Sequence, residues 1–434
     1  MELDSRLLLP IPAYGGRSLA NIAPTLYRLL GPGAGDDAPP LPGLAPDLDP
    51  FEGRRPEGPV VLLLLDGLGW TAFEGSATRL PRGPAAAWRR HARPITSVFP
   101  TTTTVALTSL SSGAAPGQHG ALGHRVFLPR FGTVVELLRM SPLGVGPAET
   151  LVGPDWSPKD VSGVPTVFRR GVPAVAVSRD RFEGTGFTRL IYDGAPYIPY
   201  ATGSELALSL VEVLSREAPP PLVVVYRDDL DVVQHVRGTV PELIDLEVSR
   251  VRHLLAFVAE HLGPRVARRT TLLVTGDHGQ VPLAADRQIV VDREPTVLEH
   301  LARPPSGDRR AAYFAARPGH LARLTEVLEQ RVPSGGRVLE IPSLVDAGLF
   351  GPPPHHPEIA ERLGDLLVLL PSPGGVTYTV PGARARPHRM ISAHGGLERD
   401  ELLVPLVSGS VADLAGEPTQ RAHPRAPPSR SGAR

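Results

Sequence analysis

The apolar positions of this chain gather in short dense runs, with stretches of helical spacing between them. The run PVVLLLLDGLGW, from Pro59, is apolar without alternation as far as Leu65 and ends at Asp66-Gly67. A strand that is apolar at every position buries both faces, as a strand inside a parallel sheet does. Comparable runs follow at Ala174–Val177, Leu222–Tyr226 and Thr271–Thr275. From Pro241 to His261, residues Leu243, Leu246, Val248, Val251, Leu254, Leu255 and Val258 fall near one face at a period of about 3.6, which predicts a helix. Strands alternating with helices imply an α/β fold: a doubly wound, mostly parallel central sheet with helices on both faces. Ligand chemistry is then expected at the carboxyl ends of the strands.

The flanks have a different texture. A short helix is expected over Ser18–Leu30, followed by a wrapping loop, GPGAGDDAPPLPGLAPDLDP. From Arg309 onward, AAYFAARPGHLARLTEVLEQRV, RVLEIPSLVDAGLF and GDLLVLLP predict a small α+β unit set between two parts of the core. The expected organisation is therefore an N-terminal helix and loop (1–57), a core (58–308), an α+β cap insertion (309–380), the C-terminal part of the core (381–411) and a disordered tail (412–434). The tail is rich in Pro, Arg, Ser and Ala and has little to bury. No internal repeat is present.

Composition narrows the chemistry. Lys+Arg and Asp+Glu both number 45, so the formal charge is zero and there is no general electrostatic case for nucleic acid or an anionic membrane. Cysteine is absent, which excludes disulfides, thiolate catalysis and cysteine-bound zinc or iron–sulfur clusters. Any metal must be held by His, Asp and Glu. The opening MELDSRLLLPIPAYGG has acids before a very short apolar run and does not read as a signal peptide. The longest apolar run, Pro59–Leu65, falls far short of the about 20 residues that a spanning helix needs. A cytoplasmic protein without membrane attachment is the expectation. The 50 prolines and 45 glycines are interspersed with apolar runs and read as loops around a folded core.

Four segments place acids or histidines just beyond apolar runs: Asp66 in LLLLDG, Asp231 and His235 in VVVYRDDLDVVQHVRG, Asp277 and His278 in LLVTGDHGQ, and His394 in ISAHGGL. Each has a bland alternative. Asp66 could cap a turn, Asp231 and His235 could be a solvated helix pair at i, i+4, and His394 could be an ordinary loop histidine. Adjacent Asp277-His278 is harder to dismiss, because two polar groups at a buried strand end need partners. A fifth segment, ITSVFPTTTTVALTSLSSGAAPGQHGALGH, places threonines at a helix start, where free N–H groups and the helix dipole favour a phosphate. Taken alone, the segment reads first as N-capping by threonine. Arg227 reads as a surface arginine, with contact to a substrate phosphate as the alternative. His355 and His356, set among prolines in GPPPHHPE, read as an exposed loop.

Taken together and in order, LLLLDG, FPTTTT…SSGAAPGQHG, DVVQH, GDHG and AHGG resemble the alkaline phosphatase superfamily, and within it the type I phosphodiesterase/nucleotide pyrophosphatase group. The resemblance covers about residues 58–300 and 385–407. It implies an alkaline phosphatase-like fold and two divalent ions, with zinc favoured and manganese or iron as alternatives. Asp66, Asp277, His278 and the nucleophile oxygen would hold one ion; Asp231, His235 and His394 would hold the other. Counting back ten residues from Gly113 selects Thr103 as the nucleophile, with Thr102 second, and the same frame matches the histidine of PxxHG to His119. The chain departs from the family in two ways. The Phe-Pro pair precedes the threonines, and His124 stands where the nucleotide enzymes have an asparagine that contacts the phosphoryl oxygen. The implied activity is hydrolysis of a phosphodiester, nucleotide pyrophosphate or other small phosphate ester through a phosphothreonine. A phosphomonoesterase or phosphonate hydrolase on the same core, or a non-catalytic metal-binding scaffold, are the alternatives.

Overall fold

A computed structural model of the chain describes residues 2–4, 9–33, 37–81, 83–381 and 390–415. The dense apolar runs form a seven-stranded sheet. In chain order its strands are β1 (Val60–Leu65), β2 (Ala92–Thr96), β3 (Ala174–Arg179), β4 (Tyr197–Tyr200), β5 (Leu222–Arg227), β6 (Thr271–Thr275) and β7 (Leu403–Ser410). Their order across the sheet is β2-β7-β6-β1-β5-β3-β4. β6, β1, β5, β3 and β4 pair in parallel. β7 runs against both neighbours, β6 and β2, so it alone is reversed.

Every residue of β1 is buried because its alternate side chains enter opposite layers. Val60, Leu62 and Leu64 pack into one core with Leu222, Val224 and Tyr226 of β5. Val61, Leu63 and Leu65 pack into the other with Val223 and Val225. Helices α1 (Ile22–Leu30) and α2 (Thr103–Ser112) cover the first face. The long helix α4 (Pro241–Arg269) covers the second, after the short helix α3 (Asp229–Arg237). This is the doubly wound arrangement that the pattern predicted.

The phase of α4 differs from the sequence reading in its first turns. Ile244 and Glu247 are buried there, while Leu246 is 46% exposed. The helix also passes His261 and runs to Arg269, with non-helical dihedrals at Gly263 (φ 71°) just before Pro264. Proline cannot donate to the preceding turn, and glycine tolerates the resulting break.

A second seven-stranded sheet is antiparallel at each pairing, and its Arg125, Glu136 and Ala312 share the lining of one cavity with Asp231, which follows the carboxyl end of β5. Ala311–Phe314, Arg337–Glu340 and Leu366–Leu369 come from the segment 309–380. They continue through Ser306–Gly307 into Arg125–Leu128, Thr133–Glu136 and Ser141–Pro142. The cap is therefore built from two separated parts of the chain.

The tail begins later than expected. Residues Val411–Ala415 form a helix whose Val411, Leu414 and Ala415 are buried against α4, so they belong to the core. Residues 416–434, the rest of the tail, lie outside the described residues. Among the described residues no helix is long and apolar enough to cross a membrane.

Candidate metal centre and active site

Three neighbouring parallel strands deliver the polar residues. β1 ends at Leu65 and hands over Asp66, β6 leads through Gly276 to Asp277 and His278, and β5 leads into α3, which carries Asp231 and His235 one turn apart. Gly67 adopts φ +78°, and a Cβ there would stand 3.1 Å from Cα of Asp231. Only glycine lets this turn pass under α3 so closely. His394 arrives on a loop after the short strand Ser392–Ala393, which pairs with Val281–Pro282 just beyond His278.

Donor atoms of Asp66, Asp277 and His278 lie within 4.8 Å of one another, and so do those of Asp231, His278 and His394. His278 thus borders both groups. His235 joins neither triad, but its Nε2 is 3.2 Å from Oδ1 of Asp231, and its ring is 5.1 Å from that of His394. All six residues singled out in the sequence as ligands meet at one place.

The histidines share an orientation. Nδ1 of His278 lies 3.1 Å from the Gly279 carbonyl, Nδ1 of His394 lies 3.0 Å from the Thr101 carbonyl, and Nδ1 of His235 lies 3.0 Å from the Ser392 carbonyl. A carbonyl can only accept, so each Nδ1 carries a proton, and in the neutral ring Nε2 is the nitrogen left with a lone pair. Fixing one nitrogen on the backbone in this way presents the other to a metal.

The carboxylates point to the same conclusion. Asp277 Oδ1 accepts from the backbone N–H groups of Gly67 and His278 at 3.0 and 2.9 Å, whereas its Oδ2 is buried with no hydrogen bond among the described residues and lies 3.3 Å from His278 Nε2. Burial, then the neighbouring Asp277 and Asp231 carboxylates, push Asp66 well above the ordinary carboxylate range, although Tyr226 donates to it. Burial, then His278 and His235, hold His394 well below the usual imidazole value. Burial works against charge on both Asp231 and His235, but their mutual contact outweighs it, lowering the acid and raising the base. Crowded buried carboxylates facing imidazole nitrogens, with one carboxylate oxygen that makes no hydrogen bond, are what a divalent cation would relieve. The residues therefore fit a two-ion site.

The threonine run divides its tasks. Thr101 Oγ1 donates to the Gly396 carbonyl at 2.9 Å and accepts from Gly395 N at 3.0 Å, which ties down the His394 loop. Thr104 donates to the Gly123 carbonyl at 2.9 Å. Thr102 is the N-cap residue of α2 but makes no side-chain capping bond. Thr103, the first residue of α2, places its hydroxyl 3.1 Å from His278 Nε2 and 3.5 Å from both oxygens of Asp66. Behind α2, Gly113 closes the helix in a left-handed conformation, and His119 is buried with Nε2 2.9 Å from Ser109 Oγ.

Thr103, His124, Asp231, His235 and His394 line one cavity of about 460 Å³ between the two sheets. His124 is half-buried, and burial lowers its basicity despite the nearby Asp308 carboxylate. Two other readings are corrected. Arg227 is neither exposed nor in the cavity, being buried and paired with Asp229 at 2.8 Å. His356 is not in an exposed loop: it packs under Gly120 and Gly163, accepts from Glu358 N at 3.1 Å, and is pushed down to about 4 by burial and then by Arg362.

Several supporting residues carried no sequence signal. Tyr226, on β5, bonds Asp66. Arg310, fully buried, pairs with Glu401 at 3.0 Å and with Glu398 at 2.7 Å, and Glu401 in turn accepts from Gly396 N at 2.9 Å. The His394 loop is thus anchored from the cap as well as by Thr101. Arg125, Asp308 and Arg309 also line the cavity. They come from the two parts of the cap sheet, whose convergence no local pattern announces.

Residues 60–395 match the family model described as type I phosphodiesterase/nucleotide pyrophosphatase. No curated protein matches the sequence. Among solved structures, murine ectonucleotide pyrophosphatase/phosphodiesterase 5 is similar, with TM-score 0.61 and 16% identity over 81% of this chain and 88% of that one. An inactive threonine-to-alanine variant of the murine protein in complex with AMP gives TM-score 0.61 and 17% identity, over 82% and 89% of the two chains. The human protein gives 0.59 and 16%, over 81% and 87%. At these identities the likeness speaks for the fold, which is alkaline phosphatase-like.

Proposed function

We propose, from the premise that this chain belongs to the type I phosphodiesterase/nucleotide pyrophosphatase family and is a phosphoric ester hydrolase, that Thr103 is its nucleophile and two divalent cations its cofactors. The observation that carries this reading is the position of the Thr103 hydroxyl. It lies on the first turn of α2, 3.1 Å from His278 Nε2 and 3.5 Å from Asp66, and opens on the cavity shared with Asp231, His235 and His394.

Asp66, Asp277, His278 and Thr103 would hold one cation, and Asp231, His235 and His394 the other. All-nitrogen and oxygen ligation suits zinc, with manganese or iron as alternatives. Cations bound there would lower the pKa of the hydroxyl and neutralise charge on the phosphoryl oxygens. The first turn of α2 adds free N–H groups and the positive end of the helix dipole. His124, which lines the same cavity, would donate to a phosphoryl oxygen in the transition state. In the first step the bond from Thr103 Oγ1 to phosphorus forms as the bond to the leaving oxygen breaks. In the second, water attacks the phosphothreonine and regenerates Thr103. The substrate is a phosphodiester or nucleotide pyrophosphate, a reading supported by the AMP complex of the murine neighbour.

The test uses metal-stripped protein with zinc, manganese or magnesium restored singly, assayed on bis-p-nitrophenyl phosphate and p-nitrophenyl phosphate. Faster diester cleavage with one ion supports the proposal and identifies that ion. Faster monoester cleavage moves the protein to a phosphatase, and no cleavage with any ion leaves a metal-binding scaffold. Thr103→Ala is expected to abolish turnover with metal content unchanged. Loss in Thr102→Ala but not in Thr103→Ala would reassign the nucleophile.

A further inference from the structure

Opposite the metal ligands, the cap side of the cavity presents arginines. Arg125, Arg139 and Arg309 all line it. Arg139 is occupied, bonding Glu136 and the Gly146 carbonyl, each at 3.1 Å. Among the described residues Arg125 has only long contacts, 3.8 Å to Glu136 and 3.4 Å to the Tyr378 carbonyl. The Arg309 guanidinium has no ion pair or hydrogen bond among the described residues.

The backbone holds the pair in place. Arg125 faces Gly307 across the cap sheet, two residues before Arg309. Gly307 passes so close to Gly123 that a Cβ on Gly123 would lie 2.7 Å from the Gly307 Cα. Arg309 itself is pinned, its N–H donating to Asp308 Oδ1 at 2.6 Å and its carbonyl accepting from Val376 N at 2.6 Å. Burial, and then the charge of Arg125, weaken the hold of Arg309 on its proton, and both arginines depress His124. Two half-buried guanidinium groups, one unpaired, are poorly placed unless an anion sits between them.

We infer that Arg309, with Arg125, forms a second anion subsite that holds a phosphate or carboxylate carried by the substrate beyond the phosphoryl group under attack. The inference rests on the phosphoryl-transfer reading of the cavity. It makes Arg309 a specificity-determining residue: substrates with a second anionic group are preferred over those with a neutral group in that place.

The experiment measures equilibrium binding to zinc-loaded Thr103→Ala protein by calorimetry, using paired probes. AMP and ADP differ by a second phosphate; ethyl phosphate and phosphoglycolate differ by a carboxylate. A preference of tenfold or more for ADP identifies phosphate as the second anion, and one for phosphoglycolate identifies carboxylate. Adding Arg309→Gln should collapse the preference, and Arg309→Lys should restore part of it, because lysine keeps the charge but not the planar fork. Absence of preference in both pairs, or its persistence in Arg309→Gln, overturns the subsite. Hydrolysis of bis-p-nitrophenyl phosphate by the unsubstituted chain is scored separately. Its failure would refute the hydrolase reading while the affinity ratios still decide the subsite.

Discussion

Acid should destabilise this protein through His119, and the size of the effect follows from its surroundings. The ring is fully buried behind the helix that carries Thr103; Ala121 N–H donates to Nδ1 at 3.0 Å, and Nε2 faces Ser109 Oγ at 2.9 Å. With Nδ1 accepting, Nε2–H donates to the serine, and the neutral ring is satisfied at both nitrogens. A further proton would break the Ala121 bond and bury a charge. Burial, then His356 and Arg362, accordingly push His119 from the ordinary 6.5 down to about 3. The unfolded chain takes up this proton as pH falls through 6.5, and the folded chain does not. Stability conferred by the neutral ring is therefore complete above that pH and is lost progressively between 6.5 and about 3. One proton corresponds to about 1.4 kcal/mol per pH unit, so acidification to pH 5 should cost about 2 kcal/mol through this residue alone. The assay is urea unfolding of metal-stripped protein from pH 7.5 to 5, with and without His119→Asn. The variant starts less stable, but its stability should fall with acid by one proton less than that of the unsubstituted chain. Equal slopes would refute the argument.

Further outcomes are expected. Arg310→Met removes one side of a fully buried ion pair with Glu401 and should lower unfolding free energy by about 3–5 kcal/mol, read by urea titration. Gly279→Ala would bring a Cβ to 1.9 Å from the Asp400 carbonyl, so overpacking should cost about 1–3 kcal/mol or more and displace the neighbouring His278, lowering both melting temperature and metal content. Zinc at about a hundred times its dissociation constant should stabilise the metal-stripped protein by about 2.7 kcal/mol in the same titration, an increment absent from Asp277→Asn if the orphaned Asp277 oxygen is a ligand.

What the sequence determined by itself was the parallel core and the identity of the residues at its carboxyl edge. Runs such as Val60–Leu65 are apolar at every position, a pattern that only a strand covered on both faces requires, and an acid or imidazole directly after such a run has no cheap place to go. The phase of α4 was less legible, because Leu243, Ile244, Leu246 and Val248 offer competing apolar faces and packing against the sheet chose the one through Ile244. Of the four adjacent threonines, the family spacing singled out Thr103, but their different tasks were set by what lay opposite each, the His394 loop for Thr101, the Gly123 carbonyl for Thr104 and the carboxylate cluster for Thr103. The meeting of Arg125 with Arg309 depends on a strand pairing between segments almost two hundred residues apart, and so does the arrival of Arg310 beneath the His394 loop depend on long-range contact. Local periodicity reports how a segment divides water from core. Which distant segments then share an edge is decided by the packing of the whole chain, so the ligands could be read in order while the cavity that surrounds them could not.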